Sequence, residues 1–505
     1  MYYTTKHVHE YGQNSGILIK LSDLVKSVQL RPHQLSAVKK YMANGNRGIF
    51  AHSLGSGKTL TSLGAVEMSK ATKPLIITPA ALQKNYRDSI NKFVAPKDRK
   101  KYTIMSYEKF RMNPEGYVKS IKPDSMVVDE FHRSKDPGGK TYQSLLSARP
   151  SVKGFLGLTA TPIQNRPDEV FPLIDLAKGS STGLGDPKKF EKHFIGTEKV
   201  YPKGIFSNIT ARLLGRYGEK KVLKHPEELQ KITKPFVDKN DPTPEFLSHF
   251  PSKQIVDIET PMTPRQAKMY RYFMSKDLGF IDRWRIKHDL PPKARQANKI
   301  FAKLIHARQI ADNPTILSKS MSQADPMKES GKLNVSMNNL FSHLKANPRH
   351  KAVVYSNFTQ NTLNPISKIL EKRKIPYSLF SGDVSKRIKN KGVEDYNANK
   401  NKVLLISPSG AEGLDLKGTT LLQNLDPHWN PAKMDQVFGR AVRYKSHEAL
   451  PPKMRNVRIE RYKSVIKPSW IKRLFGAKKE KTIDDYIYNR AHEKEDLNKQ
   501  MSNLF

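Results

Sequence analysis

The sequence predicts an α/β protein with two parallel β-sheets, each covered by helices on both faces. Three observations predict it. Short apolar runs bounded by turn or capping residues recur along the chain, and most are followed by a helical pattern. They fall in two groups, at about 48–160 and 351–426. The chain has 505 residues, too many for one hydrophobic core.

The runs in order are RGIFAHS, PLIITPA, DSMVVDE and GFLGLTA, then KAVVYSN, NKVLLIS and TLLQNLD. Each has the length of a strand buried on both faces, and strand–helix alternation favours parallel order. The stretch at about 165–340 shows no strand signal. It is rich in Lys, Arg and helix formers and reads as mostly helical. The expected division is a first lobe over 1–235, a second over 236–460 with a helical insertion at about 262–330, and a basic linker and helix over 461–505. The basic part, RYKSVIKPSWIKRLFGAKKEK, reads equally as a phosphate contact or a solvated tether.

Lys and Arg number 89 against 47 Asp and Glu, a net charge of +42. So large an excess points to a polyanion partner, most simply nucleic acid. Hydrophobic residues make up 37%, enough for real cores. The absence of cysteine excludes disulfides, thiolate zinc sites and thiol nucleophiles. The N-terminus has no signal-peptide pattern, and no apolar run approaches the ~20 residues needed to span a bilayer. The expectation is a soluble intracellular protein.

In AHSLGSGKT, Gly55 and Gly57 let the backbone fold so that successive N–H groups point at one anion. The following helix adds its dipole. Lys58 would reach the β- and γ-phosphates, and Thr59 would place its hydroxyl on Mg2+. His52 stands where the general pattern has Gly or Ala. In MVVDEFH, Asp129 would hold Mg2+ through water and Glu130 would orient or deprotonate the attacking water. His132 and, in GLTATPIQNR, Thr159 and Thr161 are candidates for coupling the nucleotide site to the rest of the molecule. In DQVFGRAVRYKSH, Arg440 and Arg443 share a helix face and could deliver positive charge to a γ-phosphate.

The ordered series LRPHQ, HSLGSGKT, IITPAALQKNY, MSYEKF, DEFH, LTATPIQNR, VVYSNFTQ, FSGDVSKR, ISPSGAEGLDLKG, DPHWNP and QVFGRAVR resembles the superfamily 2 helicases and translocases. Within them it is similar to the Swi/Snf-type group. LIHARQIADNP resembles an element of that group's helical insertion, and TIDDYIYNRAHEKEDL its C-terminal brace helix. HSLGSGKT and RYKSHEALPPKMRNVRI depart from the group and look like nucleoside triphosphatases and early-transcription helicases of large DNA viruses or phages.

The resemblance implies two RecA-like lobes clamping ATP, and a motor that moves along double-stranded DNA. It implies adenine contacts from Arg31 and Gln34, with Gly55, Ser56, Gly57, Lys58 and Thr59 on the phosphates and metal. Asp129 and Glu130 would be catalytic acids, Arg440 and Arg443 fingers, and Gln436 their companion from the second lobe. Gly413 and Asp415 would sit at the cleft edge. Thr78, Ser106, Tyr107, Asn357, Ser381, Gly382 and Ser407 match positions that face a nucleic acid backbone. Trp429 reads either as a neighbour of DNA or as a core residue. An RNA or single-strand helicase, or a transcription- or packaging-associated ATPase with a polymerase or repair partner, stays open beside the duplex motor. One chain holds a whole cleft, so a monomer suffices.

Overall fold

The computed structural model describes residues 29–505 except 54, 165, 202–217, 241–246, 291–299, 301, 318–320, 322, 409–413, 430–433, 435, 436, 440 and 469–478. Its frame is two six-stranded sheets, both wholly parallel. The first contains β1 (Arg47–His52), β2 (Pro74–Thr78), β3 (Thr103–Ser106), β4 (Ser125–Asp129), β5 (Gly154–Thr159) and β8 (Val237–Asn240), in the order β3-β2-β4-β5-β1-β8. The second contains β9 (Ser252–Pro261), β10 (Ala352–Tyr355), β11 (Tyr377–Phe380), β12 (Val403–Ile406), β13 (Leu421–Asn424) and β14 (Asn456–Val465), in the order β11-β12-β10-β13-β14-β9. A separate antiparallel ribbon pairs β6 (Ile195–Val200) with β7 (Gly218–Leu223).

Successive strand residues point to opposite faces, and both faces of each sheet are buried. Ile49, Leu75, Ile77, Met126, Val128 and Phe155 feed one core of the first sheet. Phe50, Ile76, Val127, Leu156 and Leu158 feed the other. In the second sheet Val353, Tyr355, Leu404, Ile406 and Leu422 face one core, while Val354, Val403, Leu405 and Leu421 face the other. The expected α/β class with two parallel sheets is what the chain forms.

The stretch at 165–340 is not free of strands, as its composition suggested. It holds β6 to β9. β8 (VDKN) has one fully buried residue, and β9 (SKQIVDIETP) is largely exposed at the sheet edge, so neither carries an apolar run. Because β8 pairs with β1, the first sheet reaches Asn240, past the expected boundary at 235.

The helix Ile483–Ser502 spans the two halves. Ile483, Tyr486 and Ile487 join a core with Tyr270, Leu304 and Ile310 of the helical insertion. Met501, with Leu504 and Phe505, joins a core of the first sheet. Among the described residues no helix is long and apolar enough to cross a membrane.

Candidate active site

In a parallel sheet all strands end on one edge, so residues just past them converge. On the first sheet that edge carries His52, Thr78, Asp129 and Thr159. β1 ends at His52, and the helix Lys58–Met68 begins at Lys58. The turn between them needs the left-handed region at Gly55 (φ 80°) and Gly57 (φ 83°). It is also crowded: a Cβ on Gly57 would lie 2.7 Å from Gln34 Nε2, and one on Gly55 would lie 2.8 Å from Phe250 Cζ.

The turn fits a polyphosphate. Lys58 Nζ curls back to donate to the carbonyls of His52 (2.8 Å) and Ser53 (3.0 Å), which puts its charge at the turn. Among the described residues, the buried hydroxyls of Ser53 and Ser56 find no hydrogen-bond partner. Two unpaired hydroxyls and an ammonium on a glycine-bent backbone suit an anion with many acceptor oxygens. His52 is fully buried and stacks on Phe50 at 5.1 Å. Its Nε2 lies 2.9 Å from Asp238 Oδ1, so the unusual residue of this turn ties β1 to the edge strand β8.

Asp129 closes β4. Thr78 donates to its Oδ2 at 3.1 Å, and the Glu130 backbone N–H donates to its Oδ1 at 3.0 Å. Burial, and next the charge of Glu130, push the Asp129 carboxyl up to about 6; the Thr78 bond and Lys58 pull the other way. Glu130 sits at φ 51°, a left-handed conformation that turns the chain sharply off the strand. The turn is seated by Phe131, which lies on β5 where Gly157 has no side chain. A Cβ there would be 2.1 Å from Phe131 Cδ1. His132 Nδ1 lies 3.5 Å from Glu130 Oε2 and 3.1 Å from Thr159 Oγ1. Thr159 Oγ1 in turn accepts from Thr161 N at 3.1 Å, and the buried Thr161 hydroxyl finds no partner among the described residues. The three coupling candidates therefore form one chain that starts at Glu130.

The second half meets this edge through aromatic residues. Arg31 Nη2 donates to the Tyr444 hydroxyl at 3.3 Å, and its guanidinium lies 5.4 Å from the Tyr444 ring centre. Phe250 packs edge-on to Tyr444 (6.0 Å) and over Gly55. The backbone of Lys445 donates to His249 O at 3.0 Å, which fixes this corner. Arg443, the neighbour of Tyr444, pairs with Asp415 at 3.3 Å. Gln34 is buried, with its amide on Ser56 O at 3.3 Å, so it braces the phosphate turn. Gly413, Gln436 and Arg440 lie outside the described residues.

The residues matched to a nucleic acid backbone divide. Thr78 and Tyr107 are buried and spend their hydroxyls on Asp129, Tyr107 on its carbonyl at 2.5 Å. Ser106 caps the helix Tyr107–Met112 by accepting from Lys109 N. Asn357 is held by Asp426, which also accepts from Ser356 at 2.8 Å. Ser381 and Ser407 are buried at the ends of β11 and β12, and Gly382 is exposed. Trp429 packs on the helical-insertion core, edge-on to Tyr486 at 6.1 Å. Sequence reasoning missed Ser53, Asp238, Phe250, Asp426 and Tyr444. Tyr444 had a signal: an aromatic residue directly after the arginine pair.

Residues 97–316 match the SNF2-related domain, 332–445 the helicase conserved C-terminal domain, and 27–164 the res subunit of type III restriction enzymes. A protein of Acanthamoeba polyphaga mimivirus, named as an ATP-dependent RNA helicase, is 30% identical over 87% of this chain and 90% of its own length. The Arabidopsis thaliana protein CHROMATIN REMODELING 25 is 26% identical over 82% of this chain, and this chain spans about half of it (51%). A RAD54-like DNA repair and recombination protein of Drosophila pseudoobscura pseudoobscura is 25% identical over 87% of this chain and 62% of its own length. The Sulfolobus solfataricus SWI2/SNF2 ATPase core in complex with dsDNA aligns over 95% of this chain and 97% of its own, with 21% identity and a TM-score of 0.37.

Proposed function

This chain belongs to the superfamily 2 helicases of the Swi/Snf type and is an ATP-hydrolysing enzyme, and from that premise we propose that it is a motor that moves along double-stranded DNA. The observation that carries the proposal is the meeting of the two halves at the phosphate turn. Tyr444, next to Arg443, reaches Arg31, and Phe250 covers Gly55. A nucleotide held by the first half is then read by the second.

In this scheme the backbone N–H groups of the turn, Lys58 and the Ser53 and Ser56 hydroxyls bind the phosphates. Thr59 and Asp129 would hold a Mg2+ ion, which supplies charge neutralisation at the β- and γ-phosphates. Thr78 and Tyr107 fix Asp129, and Glu130 orients and deprotonates the attacking water. Arg443, with Arg440, brings positive charge to the γ-phosphate when the halves close. His132, Thr159 and Thr161 carry the change outward from Glu130. Loss of the γ-phosphate removes the contact that favours closure, and the halves part. The net charge of +42 supplies a phosphate-binding surface with weak sequence preference and steep salt dependence.

The test is the ATPase rate with duplex DNA, single-stranded DNA and RNA in parallel, with a strand-displacement assay on a tailed duplex. Duplex DNA is expected to stimulate most, without robust unwinding. Stronger stimulation by RNA, with unwinding, would replace this reading by the RNA helicase that the name of the mimivirus relative describes.

A further inference from the structure

We infer that Ser446 and His447 are positioning residues for Arg443, holding the stretch of backbone from which its guanidinium is delivered to the γ-phosphate. This role deepens the ATPase reading and rests on the part given there to Arg443. Both residues lie in RYKSHEALPPKMRNVRI, the segment that departs from the Swi/Snf group.

Arg443 is not aimed by a helix. Helical backbone stops at Ala441, so the helix face expected for Arg440 and Arg443 does not extend to Arg443. A turn holds its main chain instead. Ser446 N donates to Arg443 O at 3.1 Å, and the Arg443 N–H donates to Ser446 Oγ at 3.3 Å. The same hydroxyl lies 2.9 Å from Arg443 O. Inside the turn Lys445 takes φ 60°, a left-handed value that favours glycine. A lysine persists there only where its surroundings impose it. One such contact is the bond from Lys445 N to His249 O at 3.0 Å. The other comes through His447.

His447 is buried and bridges this turn to the chain entering β13. Its Nε2 lies 2.7 Å from Thr419 O, and its Nδ1 lies 2.9 Å from Ser446 Oγ. A carbonyl only accepts, so Nε2 carries the ring proton and Nδ1 is left as an acceptor. Ser446 Oγ can therefore give its proton to Nδ1 while it accepts from the Arg443 N–H. Burial pushes the ring's pKa below 6.5, against the pull of the Thr419 carbonyl, which favours the neutral form this pattern needs. Gly418 N also donates to Ser446 O at 2.9 Å, so Gly418 and Thr419 grip the turn twice. The same segment reaches the arginine side chain, because Asp415 pairs with Arg443 Nη1 at 3.3 Å. When the halves close, the guanidinium exchanges Asp415 for phosphate. The anchor through Ser446 holds only main chain of Arg443 and stays in place during that exchange.

The full chain should be compared with Ser446→Ala, His447→Asn, His447→Gln and Arg443→Ala. The readouts are kcat and KM for ATP with saturating duplex DNA, duplex affinity, and the urea midpoint. Asn sets an amide oxygen near the place of Nδ1 and keeps an acceptor for Ser446, whereas Gln reaches toward Thr419 O and offers Ser446 none. Ser446→Ala and His447→Gln should lower kcat about tenfold, with KM and duplex affinity within about twofold, because a misplaced transition-state group costs kcat. His447→Asn should keep kcat within about threefold of the parent. That split between Asn and Gln is the readout a merely structural role would not produce. Parental kcat in Ser446→Ala, His447→Asn as slow as His447→Gln, or kcat losses that simply follow the urea midpoint would each overturn the positioning role. Full-rate hydrolysis by Arg443→Ala would instead sink the reading of Arg443 on which it rests.

Discussion

The Tyr107 hydroxyl donates to the backbone carbonyl of Asp129 at 2.5 Å, from a helix that begins where β3 ends. It holds the acid's turn from behind, beside Glu130 in its left-handed conformation. Tyr107→Phe removes one buried hydrogen bond, costing ~1 kcal/mol of stability. It is expected to lower kcat about tenfold while leaving DNA affinity unchanged. A drop in DNA affinity with normal kcat would mean that Tyr107 faces nucleic acid after all.

Lys58→Ala, Glu130→Gln and Arg443→Ala separate chemistry from DNA binding. Each removes a charge assigned to the reacting phosphate or water, and such groups are worth ~10²-fold or more in rate. ATP turnover should fall to background in all three, with duplex affinity in a filter-binding assay within about threefold of the parent. Full-rate hydrolysis by any one of them would falsify the role given to that residue.

Gly157 tests how the acidic turn is seated. Its missing Cβ leaves room for Phe131, which also packs on Phe155 at 5.4 Å. Gly157→Ala places a methyl 2.1 Å from the Phe131 ring. The ring must move, and overpacking of this kind costs ~1–3 kcal/mol. Because Phe131 follows Glu130, the expected signature is a kcat loss of about tenfold alongside lower urea stability. Normal kcat in a destabilised protein would show that the turn tolerates the shift.

Much of this site was legible because its chemistry lies at the ends of apolar runs. His52, Thr78, Asp129 and Thr159 each close a strand that is nearly all buried, so the pattern marked both strand and site. The edge strands were not legible: β9 is exposed over its first four residues and mixed after them, and the β6–β7 ribbon is full of Lys and Glu. The partners of buried hydroxyls were not legible for a related reason. Thr78 and Tyr107 stand at positions matched to nucleic acid contacts, but only three-dimensional packing shows that Asp129 has claimed their protons. The Arg31–Tyr444 contact joins residues 413 apart in sequence and has no local signature.

His343 gives the fold an acid-sensitive point away from the cleft. Its Nε2 lies 2.8 Å from Thr420 Oγ1, and its ring stacks on His350 at 4.1 Å. Burial, and next the neighbouring His350, push it down to about 4 from the ordinary 6.5. Between those values the unfolded chain takes up a proton that the folded chain refuses, so stability is full above ~6.5 and falls as pH drops toward 4. The site is partly exposed, so solvent screening limits the loss to ~1 kcal/mol. His343→Gln should show a smaller fall in urea midpoint from pH 7.5 to pH 5 than the parent. Parallel falls in both would remove His343 as the cause.

Lys332 joins three helices inside the second half. Its Nζ lies 2.7 Å from both Asp312 Oδ1 and Asp484 Oδ2, and all three side chains are essentially inaccessible to water. Asp312 ends a helix of the insertion, Lys332 begins the helix Gly331–Ala346, and Asp484 opens the helix Ile483–Ser502 that reaches the first half. Two buried carboxylates around one ammonium are tolerable only while the cation is present. Lys332→Met leaves them facing each other, and removing one partner of a buried ion pair costs ~3–5 kcal/mol. The spanning helix should loosen first, because Asp484 also accepts from Ser464 N and would have to choose between that bond and water. Hydrogen exchange over 483–502 is therefore expected to rise before global unfolding in urea. The triple variant Asp312→Asn, Lys332→Met, Asp484→Asn removes the charge conflict and should recover most of the lost stability. A triple variant no better than Lys332→Met would show that packing around the lysine stem, rather than charge, holds this junction.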